Sequence, residues 1–233
     1  MELSKGDKTA VVFGATGLVG HHLLDFLLIH PSYKKVKTFG RSELEVSHPK
    51  LENHLVDFSD FDKFRHLIKG NDLFLCVGTT MAKAGSKDAF YEVDFGINFN
   101  AAKHAAQNDV SQCLLVSSVG ADEDSIFYYS EVKGKLENAI KALPFWSTHI
   151  FRPSVLLGER NENRWGEEAA GVLGKFINKI TGGLLNKYKP VEADVVAKAM
   201  VEAAQKFAPG LHEYPSHYLQ ELAEETDRML REG

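Results

Sequence analysis

Gly14, Gly17 and Gly20 recur at every third residue in the run Gly14-Ala15-Thr16-Gly17-Leu18-Val19-Gly20, and far downstream Tyr129 and Lys133 stand one helical turn apart. The glycine run follows the apolar stretch Thr9 to Phe13 and opens the apolar stretch Leu18 to Ile29. A strand, tight turn and helix in that order place helix N-terminal amides where they can cradle a pyrophosphate. In such a turn Gly14 permits the sharp reversal, Gly17 lets backbone approach the phosphates, and Gly20 lets the helix lie close to the strand. Residues four apart on a helix share a face, so Tyr129 and Lys133 can address one bound molecule. An ammonium beside a phenol favours the phenolate, which suits the pair to proton transfer, and the lysine can also hold ribose hydroxyls. Each motif has a plain alternative: an ordinary strand-helix connection, or an aromatic ring beside a solvated lysine. Their joint presence points to a nicotinamide dinucleotide and redox chemistry.

The elements that would carry these residues alternate. Strand-like runs at Thr9 to Phe13, Lys35 to Phe39, His54 to Val56, Asp72 to Val77, Gln112 to Val116 and Thr148 to Phe151 are separated by helix-like segments at Leu18 to Ile29, Asp60 to Ile68, Asp88 to Gln107 and Ser130 to Lys141. This rhythm predicts an α/β fold, a Rossmann-like, doubly wound parallel sheet covered by helices. After Pro153 the pattern turns helical, at Gly166 to Ile180, Glu192 to Phe207 and His217 to Met229, with one short strand at Leu211 to Tyr214. We therefore expect a dinucleotide-binding domain over residues 1–157 and a small, mostly helical substrate lobe over 158–233 packed on it.

In open sheets of this kind ligands bind at the carboxyl ends of the strands, so residues there are the next candidates. After strand two the chain reads Thr38-Phe39-Gly40-Arg41-Ser42 with no acid before Glu43. A carboxylate there would bind a ribose 2′-hydroxyl, whereas the Arg41 guanidinium suits a 2′-phosphate, which predicts NADP(H) over NAD(H). Asp57 follows strand three, where it could accept from an adenine amino group or merely cap a helix. Val77-Gly78-Thr79 ends strand four with small residues past which ribose and nicotinamide can run. Strand five ends in Ser117-Ser118: we assign Ser118 to polarising a substrate carbonyl and Ser117 to lining the nicotinamide pocket, although the sequence does not separate the two. Asn98 and Asn100 lie on the preceding helix and stay outside the catalytic set.

With 44% hydrophobic and 25% charged residues, the 233-residue chain can bury one substantial core. A formal charge of −5 offers no basic excess for nucleic acid or an anionic membrane surface. No apolar run approaches the roughly 20 residues that cross a bilayer, and we expect a cytoplasmic protein. Cys76 and Cys113, the two cysteines, fall inside apolar runs and read as core residues, with no metal site implied. No motif specifies an oligomeric state.

The GxxGxxG turn, the serine after strand five and the Tyr-x-x-x-Lys helix resemble the short-chain dehydrogenase/reductase superfamily in its atypical or extended branch. A narrower likeness, to the Tat-interactive-protein oxidoreductase group, is carried by Gly78-Thr79-Thr80 with Lys83-Ala84-Gly85, Ser117-Ser118 with Gly120-Ala121-Asp122, Tyr129 with Val132-Lys133-Gly134, and Phe151-Arg152-Pro153 with Val155-Leu156-Leu157. The resemblance implies NADPH contacts from Thr16, Gly17, Leu18 and Val19, from Arg41 and Ser42, from Val77 and Gly78, and from Tyr129 and Lys133. It further implies a nicotinamide-side contact from Leu156 and a lobe contact from Arg164. The function this implies is reduction or oxidation of a small carbonyl or alcohol. The alternatives are a sugar-nucleotide epimerase or dehydratase, and an NADPH-binding sensor or interaction protein without turnover.

Overall fold

The structure, a computed structural model, describes residues 7–158 and 189–224. Its frame is a seven-stranded, all-parallel sheet of β1 (Lys8–Phe13), β2 (Tyr33–Gly40), β3 (Leu51–Leu55), β4 (Asp72–Leu75), β5 (Gln112–Val116), β6 (Ser147–Arg152) and β9 (Gly210–Pro215), in the spatial order β3-β2-β1-β4-β5-β6-β9. A second parallel pair joins β7 (Leu156–Leu157) to β8 (Val191–Glu192).

Strand alternation sorts side chains into two cores. Ala10 and Val12 of β1, Phe74 and Leu114 face one layer, where they meet Val19, Leu23, Leu24, Leu27 and Leu28 of α1 (Leu18–Ile29) and Val196, Met200 and Ala203 of α6 (Ala193–Gln205). Val11, Phe13, Leu73, Leu75, Cys113 and Leu115 face the other, against Ala101, Ala102 and Ala105 of α4 (Asn98–Gln107) and Leu136 and Ile140 of α5 (Tyr128–Lys141). Each fully buried leucine of α1 contributes roughly 1.5–3 kcal/mol, so the helix behind the glycine turn is held along its whole length.

Two elements differ from the expectation. The helix expected over Asp60 to Ile68 is a pair of 3₁₀ turns, Phe61–Lys63 and Arg65–Leu67. Phe61 opens the first 3₁₀ turn, Phe58 lies in the turn before it and Phe64 at the break between the two. There their rings join Phe13 and Phe39, with Phe61 and Phe64 centroids 4.8 Å apart and Phe39 and Phe64 5.9 Å apart. The long helix expected over Asp88 to Gln107 is α3 (Lys87–Tyr91), a π-helical stretch at Glu92–Ile97, and α4; the short α2 (Met81–Ala84) precedes it.

The expected lobe is also redistributed. β9 is the edge strand of the main sheet, with Gly210 opposite Ser147, and α6 is buried against α1. Residues 189–224 therefore complete the sheet and its cover. Most of the remaining lobe, including the helix expected at Gly166 to Ile180, lies outside the described residues.

Candidate active site

The strand order reverses direction between β1 and β4, and the crevice at their carboxyl ends is where the glycine turn sits. Gly14 has φ +87°, and a Cβ built on it would lie 2.6 Å from the Cys76 carbonyl carbon, so the turn rests directly on the end of β4. The Gly17 amide donates to the Gly14 carbonyl at 2.9 Å. A Cβ on Gly20 would stand 2.0 Å from that same carbonyl oxygen, which is the close helix approach expected of the third glycine. Gly17 is the N-cap of α1 and offers no side chain to the first-turn amides, an arrangement suited to an anionic acceptor. Val19 is buried and Leu18 packs on the core, so neither side chain reaches the crevice and both could meet a ligand only through backbone. Thr16 is exposed at its rim.

Arg41 and Ser42 are exposed just past β2, and Arg41 pairs with no carboxylate among the described residues. Asp57 is exposed past β3, and its carboxylate accepts from the Ser59 amide at 2.9 Å, which holds its carboxyl below the usual range. That bond closes a local turn at Asp57, whereas the N-cap of the following 3₁₀ turn is Asp60. Leu156 lies on β7, opposite Val191, half-buried against the α1 side of the core. Arg164 lies outside the described residues.

The polar heart of the site is built from β4, the π-helical stretch and α5. Lys133 Nζ stands 2.7 Å from Asp94 Oδ1, with the two side chains 5% and 1% exposed. Asp94 Oδ2 accepts from the Thr79 amide at 2.8 Å, and Asn98 Nδ2 donates to the Val77 carbonyl at 3.0 Å and to the Asp94 carbonyl at 2.8 Å. A Cβ on Gly78 would be 3.8 Å from Lys133 Nζ, so the lysine reaches from α5 to the turn after β4. Burial opposes the lysine's charge, but Asp94 first and Tyr129 second outweigh it, and its pKa is raised. Asp94 is its single ion-pair partner among the described residues.

Tyr129, in the first turn of α5 at the sheet's carboxyl edge, is 37% exposed. Its ring lies 5.8 Å from Phe90 and 5.9 Å from Lys133 Nζ, so the ring is steadied on one side and open on the other. The two serines part here. Ser117 is buried and donates its hydroxyl to Glu137 Oε1 at 2.5 Å. Ser118 is half-buried, and among the described residues its hydroxyl bonds only to the neighbouring Val119 carbonyl at 3.2 Å. Glu137 in turn receives Arg152 bidentately, and Arg152 and Lys141 both reach Glu213 of β9, at 2.9 and 2.7 Å. This ionic chain ties β5, α5, β6 and β9 together beneath the site.

Asp94, Glu137 and Arg152 were not singled out from sequence. Glu137 had a signal, since Tyr129, Lys133, Glu137 and Lys141 recur every four residues along α5. Asp94 had none, because the π-helical stretch that aims it leaves no mark in the periodicity.

Comparison with known proteins agrees with this architecture. A family described as NAD(P)H-binding matches residues 14–164. The chain is 38% identical over 202 residues to "Protein FMP52, mitochondrial" of Candida albicans, covering 84% of this chain and 87% of the relative. It is 35% identical over 210 residues to "Protein fmp52-1, mitochondrial" of Aspergillus terreus, covering 87% and 89%. Among solved structures it is similar to a UDP-N-acetylglucosamine 4-epimerase from Methanobrevibacter ruminantium, with TM-score 0.67, 18% identity, and coverage of 90% of this chain and 77% of that one. The fold is thus similar to that of a solved sugar-nucleotide epimerase, while the narrower likeness to the Tat-interactive-protein group rests on the quoted motifs alone. The relatives' names correct the cytoplasmic expectation and point to a mitochondrial location. Composition and hydropathy describe a folded domain equally well in either compartment, so they could not discriminate. On the match to residues 14–164, the chain belongs to the NAD(P)H-binding family.

Proposed function

We propose that the protein is an NADP(H)-dependent oxidoreductase of the short-chain dehydrogenase/reductase type acting on a small carbonyl or alcohol. The observation that carries this reading is Lys133: a nearly buried ammonium whose single ion-pair partner among the described residues is Asp94, beside Gly78 and one turn from the half-exposed Tyr129. The turn at Gly14, Gly17 and Gly20, where added Cβ atoms would collide with backbone, fits a pyrophosphate, and Lys133 fits ribose hydroxyls. When bound, the dinucleotide supplies or accepts the hydride.

The remaining work falls to this chain's own side chains. Ser118, whose hydroxyl is engaged only locally, orients and polarises the substrate oxygen. Tyr129 transfers the proton to or from that oxygen, and Lys133 holds the ribose. Ser117 supports the site through Glu137 and does not touch the substrate. Arg41 carries the NADP preference, since an exposed guanidinium at the end of β2 with no carboxylate partner among the described residues suits a 2′-phosphate.

Two measurements test this. NADPH and NADH are titrated against wild type and Arg41→Ala by reduced-nicotinamide fluorescence; equal wild-type affinities refute the arginine assignment. In a carbonyl screen followed at the reduced-nicotinamide absorbance, Tyr129→Phe loses about 10²–10⁴-fold in kcat with nucleotide affinity nearly unchanged. A variant that turns over like wild type removes Tyr129 from the chemistry.

A further inference from the structure

Taking an ammonium out of water is costly unless an opposite charge accompanies it. Lys133 is such a group, and three others face it: Asp94 from the π-helical stretch, and Tyr129 and Glu137 from its own helix. Glu137 is already engaged by Arg152 and Ser117, and a phenol carries no charge when protonated. Asp94 alone combines full burial, an ion-pair distance of 2.7 Å and a second bond, from the Thr79 amide, into the turn that ends β4. The π-helical stretch over Glu92–Ile97 is what brings its carboxylate between that turn and α5.

We propose that Asp94 is a positioning residue of the redox site, the counter-charge that keeps Lys133 protonated and aimed at the turn past Gly78. The functional meaning rests on Lys133 as the ribose-holding residue; the charge relation does not. Asp94→Asn keeps an acceptor for the Thr79 amide but removes the charge, leaving burial to act on Lys133 unopposed by its nearest partner.

The first test uses nucleotide-free protein. The side-chain carbon resonance of Lys133, identified by its loss in Lys133→Met, is followed by NMR from pH 6 to pH 11. Wild type is expected to stay protonated past pH 10, and Asp94→Asn to titrate about two pH units lower or more. Coincident midpoints overturn the proposal, and a purely structural role for Asp94 would leave the midpoint in place. Should Asp94→Asn not fold, Asp94→Glu carries the test, because a restored charge must keep the high midpoint and a lowered one refutes it. The second test is NADPH affinity against pH: Asp94→Asn weakens about tenfold per pH unit above its new midpoint while wild type stays flat. Parallel profiles overturn the coupling to the site. A wild type that binds no dinucleotide refutes the proposed function and leaves the NMR result to judge Asp94.

Discussion

Gly20→Ala sets two physical effects of opposite sign against each other. Gly20 lies in the first turn of α1, and replacing a helical glycine by alanine ordinarily stabilises by about 1 kcal/mol. Here the added Cβ would stand 2.0 Å from the Gly14 carbonyl oxygen and 2.8 Å from its carbon, where an ordinary contact begins near 3.4 Å. The separation is short by about 1.4 Å, and both sides are backbone. Gly14 cannot retreat, because it rests on the end of β4 and its carbonyl accepts from the Gly17 amide. The helix cannot retreat freely either, because Leu23, Leu24, Leu27 and Leu28 are buried.

Overpacking of this kind costs about 1–3 kcal/mol or more, so the clash outweighs the propensity gain and the net change is destabilising. For a chain of this size each kcal/mol lowers Tm by roughly 2–4 °C. A shift of about 1 Å at the turn would also break amide bonds to a bound pyrophosphate, at about 1.5–3 kcal/mol for each bond to a charged acceptor. The assay pairs a thermal melt with a dinucleotide titration. Gly85→Ala serves as the comparison: its added Cβ meets nothing within 4 Å, but its φ of +77° strains alanine, so it lowers Tm without disturbing dinucleotide affinity. An unchanged or raised Tm with unchanged affinity for Gly20→Ala would refute the direct contact between helix and turn.

Three further outcomes follow from the packing. A Cβ on Gly134 would lie 2.2 Å from the Glu123 amide nitrogen, so Gly134→Ala lifts the loop between Ser118 and Tyr129 off α5 and lowers kcat more than nucleotide affinity; equal losses in both would refute this. Lys8→Met strands the buried Asp72 carboxylate and costs about 3–5 kcal/mol in denaturant unfolding. His149 is buried and its pKa lowered to about 3, so between pH 6.5 and that value the unfolded chain takes up a proton that the folded one refuses. Wild-type stability then falls by about 1.4 kcal/mol per pH unit relative to His149→Asn as pH drops below 6.5; parallel curves would refute the shift.

What could be read from sequence was whatever the chain repeats locally. The strand, glycine turn and helix from Lys8 to Ile29 follow from residue type and period, because their partners lie next to them in the chain. The edge strand β9 was legible as a strand but not as a member of the main sheet, since its pairing with β6 depends on a return path through residues far along the chain. The phenylalanine triplet at Phe58, Phe61 and Phe64 carried a period of three that was absorbed into a helical reading. Asp94 was invisible, because its importance comes from a carboxylate reaching two elements at once. The separation of Ser117 from Ser118 likewise waited on Glu137, 20 residues further on.

The two buried lysine–aspartate pairs show why such a site must be read from partners and not from residue types. Lys8 pairs with Asp72 at the amino edge of the sheet, donates to the Ala204 carbonyl at 2.9 Å, and lies between the rings of Tyr33 and Phe207 at 5.3 and 5.1 Å. Asp72 also accepts from Tyr33 at 2.6 Å and from Gln112 at 2.8 Å, so this pair is surrounded on every side and pins the end of α6 to the strands. Lys133 and Asp94 form the same ion pair at the opposite edge, where among the described residues the ammonium has one carboxylate partner, one ring beside it, that of Tyr129 at 5.9 Å, and the turn at Gly78 within reach. Each further acceptor around a buried ammonium offsets more of the hydration it gave up, and Lys8 has two, Asp72 and the Ala204 carbonyl. The two lysines are indistinguishable as letters, and the difference in their partners is what supports the proposal that Lys8 serves the fold and Lys133 a bound dinucleotide.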